Sequence, residues 1–304
     1  MSTLTKSPTH VAREALAIAT KVLRPYTHKY SPKLYTQPQL FACLVLKVFF
    51  KTDYRGLTTL LRECSEVRRT VGILGVPHFT TLQKASKRLL RLPRARRLLA
   101  ATIRRHLGRR RWAPRAAFDS TGLDCGHRSA YYVRRRSATS KAWQRLTYRR
   151  FAKLELAIDT TNHVILAAVA GYGPRPDTDR YVPLLKATQR QVQVKSTVAD
   201  AGYDSEPNHK YAREQCGVRS FMPATIGRPS ANPPAGYYRR QMQLRLNKEY
   251  GGYGQRWQVE CTNSLIKRRL TSTVAARSYW PQCRELLLIV LTYQCMLVLS
   301  PEYQ

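Results

Sequence analysis

The apolar residues in the first third of the chain recur at helical spacing. A nearly continuous apolar run at 37–52 predicts a buried helix, and residues 54–64 show the spacing of an amphipathic helix. Residues 65–74 continue the pattern, with Ser65 as a candidate N-cap. We therefore expect residues 1–112 to form an all-helical domain.

A helix-turn-helix outline lies within this helical part. A Gly-Val-Pro turn at 75–77 separates a short helix from a basic helix at 78–92, which has Thr80 or Thr81 near its start. This arrangement is typical of DNA-binding modules, although plain scaffold helices share it. The outline spans residues 54–92 and predicts a DNA-binding role for the helical domain.

Beyond residue 112 the spacing of the apolar residues shortens from the helical period to the alternation or short apolar runs of β-strands. Segments of strand length stand at 115–123, 151–159, 163–171, 195–200 and 218–224. Helical patterns separate the later strands, at 179–191, where Asp179 is the candidate N-cap, and at 206–217. Three strands followed by alternating helices and strands predict an α/β (α+β) fold with a mixed five-stranded sheet flanked by helices. We assign residues 113–304 to this second domain.

Two apolar segments raise the question of membrane spans. Residues 286–299 are too short for a span and contain Tyr293 and Gln294. Residues 40–50 are interrupted by Lys47. Both segments predict buried core helices, and we expect no N-terminal signal peptide. The seven cysteines form no CxxC pair, which argues against a structural zinc site or a disulfide framework and favours a reducing cytoplasm.

The charge balance points to a polyanionic partner. The chain carries 53 Lys and Arg against 18 Asp and Glu, a formal net charge of +35. Nucleic acid is the expected partner because basic side chains release the counterions condensed on phosphates, and an anionic membrane surface is the weaker alternative. Residues 84–115 hold 13 of these basic residues and no acid, and include Arg109, Arg110 and Arg111. We expect this basic hinge to contact DNA, the alternative being a solvated linker.

A second basic segment is interleaved with aromatic residues. Residues 128–150 hold eight Lys and Arg, no acid, and four Tyr or Trp. Such a mixture suits unpaired DNA ends, whose bases stack on aromatic rings, but a β-hairpin with a packed aromatic face has the same composition. We expect phosphate contacts from Arg134, Arg135 and Arg136.

Four residues near the C-terminus share one face of a predicted helix. They follow the pattern Y-x2-R-x3-E-x6-K and are Tyr253, Arg256, Glu260 and Lys267. At about 100° per residue they fall within an arc of about 60°. This face presents a carboxylate between two cations and a phenol, which suits a metal ion held against a nucleic-acid backbone; the alternative is a solvated helix face. The glycines around Tyr253 indicate that it precedes the helix proper.

Two further carboxylates stand in or directly after core strands. Asp119 lies within the first predicted strand, and Asp200 ends the fourth. A carboxylate in such a place is unfavourable unless it is paired or bound to metal. If the fourth strand pairs beside the first, these two become neighbours, and the late helix can bring Glu260 over them. Three clustered carboxylates predict a site for two Mg²⁺ or Mn²⁺ ions, with Asp204 as the nearest substitute for Asp200.

These blocks resemble the catalytic motifs of a known family. The segments FDSTG and VADAGYDS and the Y-x2-R-x3-E-x6-K set are similar to the three blocks of insertion-sequence DDE transposases, in the cut-and-paste group with the tyrosine–arginine–glutamate–lysine signature. The similarity covers most of residues 40–296. It implies an RNase H-like catalytic domain in which Asp119, Asp200 and Glu260 bind the metal ions and act in catalysis.

The resemblance also implies a reaction and its partners. Tyr253, Arg256 and Lys267 are expected to contact the phosphates and terminal bases of double-stranded DNA that bears terminal inverted repeats. Two-metal-ion phosphoryl transfer would cleave the ends to expose 3′-hydroxyls and join them to target DNA, with the protein acting as a homodimer. We expect a cytoplasmic, nucleoid-associated prokaryotic protein. The alternatives are a domesticated, catalytically inactive DNA-binding protein and another RNase H-like nuclease.

Overall fold

The computed structural model describes residues 3–30, 32–125, 151–224, 233–249 and 252–299. A two-residue strand, β1 Thr3–Leu4, opens the first part, which is otherwise helical. Its helices are α1 Pro8–Val22, α2 Gln37–Phe49, α3 Tyr54–Glu63, α4 Ser65–Val71, α5 Phe79–Leu89 and α6 Leu92–Leu107. All four helices that the apolar pattern predicts between residues 37 and 92 are therefore present. Helix α2 lies at the centre of this part, because α1, α3, α4 and α5 all pack against it.

Local signals in the sequence start these helices. The Thr36 side chain accepts the Gln39 N–H while the Gln39 side chain accepts the Thr36 N–H, a capping box that begins α2. The predicted N-cap at Ser65 is wrong by one residue. Cys64 alone separates α3 from α4, so it occupies the N-cap position, and Ser65 is the first residue of α4.

The second part of the chain is built on a mixed sheet. Its main strands are β2 Trp112–Cys125, β3 Phe151–Asp159, β4 Ile165–Gly173, β5 Gln193–Ala199 and β6 Arg219–Phe221. Their order in the sheet is β4-β3-β2-β5-β6; the β4-β3 and β3-β2 pairs are antiparallel, and β5 and β6 run parallel to β2. The predicted mixed five-stranded sheet is confirmed, and a sixth strand, β7 Thr273–Val274, pairs with the end of β2.

Helices flank this sheet. The helices described in this part of the chain are α7 Thr178–Gln189, α8 Glu206–Lys210, α9 Tyr237–Glu249, α10 Trp257–Arg269 and α11 Tyr279–Met296. Helix α7 packs against β3, β4 and β5, and α10 packs against β2 and β3. The predicted N-cap of α7 at Asp179 is wrong: Asp177 occupies that position, and Asp179 lies in the first turn, where an acidic side chain also favours the helix.

Helix α11 joins the sheet to the helical part. It packs against β3 and β4 on one side and against α1, α2 and α6 on the other. The strand that follows it, β8 Leu297–Val298, pairs antiparallel with β1. The buried apolar side chains of both parts form one continuous cluster. The division at residue 112 follows the change from helices to strands, and as a domain boundary it stays a prediction.

The two long apolar runs are buried helices, as the sequence predicts. Residues 40–50 lie largely in α2, and residues 286–299 lie largely in α11, where nearly every side chain is buried. Within the described parts of the chain, no helix combines the length and the apolar character of a membrane span.

Candidate active site

Asp119 lies on β2, and Asp200 directly follows the neighbouring strand β5. Strand β2 runs parallel to β5, with Phe118 opposite Ala199. Asp119 is the next residue of β2, and Asp200 directly follows the end of β5, so both stand at the same level at the carboxyl end of β5. The crossover through α7 produces this pairing, in which the fourth main strand lies beside the first, as the sequence predicts.

The turn after Asp200 has little free space. The Asp200 side chain accepts the Gly202 N–H and caps a 3₁₀ turn at Ala201–Tyr203. A Cβ atom on Gly202 would lie 3.3 Å from Asp200 Oδ1 and 3.4 Å from Asp177 Oδ2. Glycine therefore leaves room for both carboxylates. Asp177 is a further acidic side chain close to Asp200, and the sequence patterns do not single it out.

Helix α10 brings Glu260 to the same region. Glu260 lies in the first turn, its side chain is 50% exposed, and its Oε1 is 2.6 Å from Arg256 Nη1. One turn further along, Asn263 Nδ2 donates a hydrogen bond of 2.8 Å to Asp119 Oδ2. This bond ties α10 to β2, and it therefore holds the Glu260 end of the helix near Asp119.

The three carboxylates interact electrostatically. Burial raises the pKa of Asp119 to about 6, and the negative charges of Asp200 and Glu260 contribute to the increase. Hydrogen bonds from the Ser120 backbone and from Asn263 oppose it. The ionised form of Asp119 is therefore less stable in the protein than in water, and a cation bound beside it would stabilise that form.

The carboxylate oxygens of Asp119, Asp200 and Glu260 are chemically suited to bind a hard divalent cation. Carboxylate oxygens are the ligands that Mg²⁺ and Mn²⁺ prefer, and such ions would relieve the repulsion that Asp119 experiences. In this structure each carboxylate contacts a protein group. Asp119 accepts from the Asn263 amide, Asp200 accepts from the Gly202 N–H, and Glu260 pairs with Arg256. Among the residues that the structure describes, no three His, Cys, Asp or Glu side chains lie close enough to hold one ion. Metal ligation by the three carboxylates stays a prediction.

The Y-x2-R-x3-E-x6-K set is split between a turn and a helix. Tyr253–Arg256 form a 3₁₀ turn before α10, as the surrounding glycines indicated for Tyr253. The prediction of one helix face holds for Glu260 and Lys267. Arg256 occupies the N-cap and contacts Glu260 one turn later, whereas Tyr253 precedes the helix. Tyr253 is half-buried and adjoins the site: burial raises the pKa of its phenol, Arg256 opposes the increase and the charge of Asp200 adds to it.

The basic hinge, residues 84–115, comprises the end of α5, helix α6 and the start of β2, so its arginines at 109–111 lie at the other end of β2. About eight residues, or ~26 Å at ~3.3 Å per residue, separate Arg111 from Asp119. Arg109 and Arg111 are exposed, whereas Arg110 Nη2 is 2.8 Å from the buried Asp159 Oδ2. Arg110 thus neutralises a buried carboxylate, and DNA contact by these three arginines stays a prediction. Outside the described residues lie Arg134, Arg135 and Arg136, with the rest of the segment 128–150.

Asp204, the nearest substitute for Asp200, has a different environment. Its side chain is fully buried, with Oδ2 2.8 Å from Arg239 Nε and Oδ1 3.5 Å from His209 Nε2. The negative charge of Asp204 is therefore compensated within the protein, so Asp200 is the better candidate for a metal ligand.

A layer of charged side chains lies beside Asp119. Lys153 pairs with Asp177, and Ser120 Oγ donates to the same carboxylate at 3.3 Å. Glu155 Oε1 is 3.5 Å from Arg180 Nε. Burial raises the pKa of Glu155 to about 7, although Arg180 and Lys153 oppose the increase. The sequence patterns do not reveal this layer, because its members come from separate strands and from the start of α7.

Replacing Glu155 by glutamine is expected to change how stability depends on pH. The folded chain binds the Glu155 proton more tightly than the unfolded chain does, so the wild type loses stability as the pH rises through about 7. The Glu155→Gln variant lacks this titration. Its free energy of unfolding should exceed that of the wild type by about 1–3 kcal/mol near pH 8, and the gap should close toward about pH 5. Urea denaturation measures both values; a gap that is the same at both pH values would contradict the raised pKa.

Comparison with known proteins identifies one matching family. A family model described as a transposase DDE domain matches residues 113–295, more than half of the chain. The matched segment runs from the start of β2 into α11, and it includes Asp119, Asp200 and Glu260. No curated protein matches the chain significantly.

Proposed function

The chain belongs to the transposase DDE domain family, and on that premise we propose that it cuts the ends of a mobile DNA element and joins them to target DNA. Its sheet and flanking helices are the RNase H-like arrangement of this family. Within the family we place it in the cut-and-paste group with the tyrosine–arginine–glutamate–lysine signature. The four signature residues, all present, are Tyr253, Arg256, Glu260 and Lys267.

The hydrogen bond between Asn263 and Asp119 is the observation that carries this proposal. It connects the helix of the third carboxylate to the strand of the first, at the level where Asp200 ends the neighbouring strand. Three acids that are far apart in the sequence thereby converge within a strongly basic protein. A structural role alone does not require such convergence, because carboxylates placed together repel one another.

We assign the metal-binding roles to the same three carboxylates. Asp119 would contribute to both metal positions, with Asp200 at the first and Glu260 at the second. Two Mg²⁺ or Mn²⁺ ions, when bound, would activate a water for in-line attack and stabilise the leaving oxygen of a phosphodiester. The 3′-hydroxyl exposed by the first cleavage can then attack target DNA at the same site, without a covalent bond between protein and DNA.

The basic side chains of the site would hold the DNA. Arg256 pairs with Glu260, and its guanidinium would be available to a DNA phosphate if that carboxylate held a metal ion. Lys267, two turns after Glu260, would bind a phosphate near the scissile bond. Tyr253 would contact a terminal base. The net charge of +35 supports extended contact with double-stranded DNA, and a homodimer would pair the two ends.

A metal-dependent nicking assay tests the proposal. The full-length protein is incubated with a DNA fragment that carries the ends of the element flanking its coding sequence, and with a fragment of equal length that lacks them. We expect nicks that leave 3′-hydroxyls at the ends in Mg²⁺ or Mn²⁺, and no nicks in the presence of a chelator. Sequence-specific binding without any cleavage would favour the domesticated, inactive alternative. Cleavage that ignores the ends would favour another RNase H-like nuclease.

A further inference from the structure

Asn263 occupies a buried position between two of the proposed metal ligands. It lies one turn after Glu260 on α10, and only 6% of it is exposed. Its Nδ2 donates to Asp119 Oδ2 at 2.8 Å. The hydrogen bond engages Oδ2 of Asp119, and the Ser120 backbone also bonds to this carboxylate.

Stability alone does not account for an asparagine at this position. Its own Oδ1 is buried and has no hydrogen-bond partner within the described residues. A buried acceptor without a partner costs roughly 1–3 kcal/mol, whereas an apolar side chain of similar size would avoid that cost. The amide is therefore explained better by what its N–H group does to Asp119 than by packing.

We propose that Asn263 is a positioning residue for metal binding, and the inference rests on the function proposed above. Its amide fixes the rotation of the Asp119 carboxylate, whose charge interacts with those of Asp200 and Glu260. Holding a carboxylate in one orientation removes a conformational cost that metal binding otherwise incurs. The effect is expected in metal affinity rather than in the affinity for DNA.

Two substitutions separate this role from packing. Asn263→Ala removes the amide and leaves a small cavity, whereas Asn263→Leu removes the amide and keeps a similar volume. Both variants should bind Mn²⁺ about 10–100-fold more weakly than the wild type, as is typical when a partner of a metal ligand is lost. Electron paramagnetic resonance of free Mn²⁺ measures this affinity without depending on cleavage. In the nicking assay, the metal concentration for half-maximal rate should rise by a similar factor, with a smaller change at saturation.

Asn162 provides a matched control. It is also buried and also has an amide atom without a hydrogen-bond partner, Nδ2, but it lies in the turn between β3 and β4. Its Oδ1 accepts the Val164 N–H. Asn162→Ala should therefore lower the melting temperature without changing Mn²⁺ affinity. This control shows whether destabilisation by itself weakens metal binding.

The outcomes distinguish this inference from the function on which it rests. Weakened Mn²⁺ binding in both Asn263 variants, with Asn162→Ala unchanged, supports a positioning role. If either Asn263 variant binds Mn²⁺ with wild-type affinity, the inference is overturned while the proposed function stands. If that variant is Asn263→Leu and Asn263→Ala binds more weakly, the side chain acts by packing. A wild-type protein that neither binds Mn²⁺ nor cuts the ends overturns the proposed function together with the inference.

Discussion

Asp119→Asn is expected to lower the rate of end cleavage at least about 10³-fold while DNA affinity stays near the wild-type value. Asparagine has the same shape as aspartate and can still accept the hydrogen bond from Asn263, so the strand and α10 should stay in place. It lacks the charge that holds a divalent ion, and a loss of about 4 kcal/mol in transition-state stabilisation corresponds to about 10³ in rate. Single-turnover nicking of DNA that carries the element's ends measures the effect.

Asp124→Asn is the control for this substitution. Asp124 is an exposed carboxylate further along the same strand, so its replacement removes an equal charge outside the proposed triad. We expect cleavage within about threefold of the wild type, because a single exposed charge contributes little. If Asp119→Asn cut the ends at a similar rate, Asp119 would not be a metal ligand, and the assignment of the triad would have to be withdrawn.

Gln294→Leu is expected to reduce the free energy of unfolding by about 3 kcal/mol or more. The Gln294 side chain is fully buried in α11 and bonds both backbone groups of Ile165, accepting its N–H at 3.2 Å and donating to its carbonyl at 3.1 Å. It also donates to Thr102 Oγ1 at 3.2 Å. Among the described strands, β4 is the last on one side of the sheet, so Gln294 satisfies backbone groups of Ile165 that no other described strand pairs.

Leucine would leave three buried polar groups without these bonds while keeping a similar volume. Thr292→Val is the matched control on the same helix, because it removes one hydroxyl that bonds to the Leu288 carbonyl of its own helix, where the main-chain bonding persists. We expect the control to lose about 1 kcal/mol or less. If the two variants lost equal stability in urea denaturation, the hydrogen bonds of Gln294 to the sheet would contribute no more to stability than one hydroxyl within the helix.

Period and topology explain why much of the fold could be predicted from the sequence. The helical spacing of the first 92 residues and the shorter period after residue 112 indicate the two kinds of structure in the right places. Three strands followed by a crossover helix restrict where the fourth strand can lie, and a place beside the first brings Asp119 and Asp200 together. The proximity of these two acids is therefore a consequence of chain order.

Contacts that depend on the orientation of single side chains could not be predicted in this way. The arginine run at 109–111 looks uniform in the sequence, yet Arg110 alone of the three pairs with the buried Asp159. Gln294 interrupts an apolar run, and its partner Ile165 is 129 residues away. The periodicity of the sequence indicates whether a side chain is buried or exposed, but not which distant group it contacts.

Asn263 is the residue at the site that the sequence could have revealed. It stands three residues after Glu260, a spacing that places both on one side of a helix, next to Lys267. The sequence patterns do not single it out, because asparagine within a helix is commonly a solvated residue. Helix α9 was missed for a different reason: its sequence is mostly polar and basic, so it has little of the apolar periodicity by which a helix is predicted.

The number of Mn²⁺ ions bound per protomer in the complex with end DNA tests the central claim most directly. Electron paramagnetic resonance can count them in the wild type, in Asp119→Asn, Asp200→Asn and Glu260→Gln, and in the Asp124→Asn control, after subtraction of the ions bound by the DNA alone. We predict two ions for the wild type and the control, and fewer for each of the three triad variants. An unchanged count in all three would contradict the claim that these carboxylates hold the catalytic metal ions.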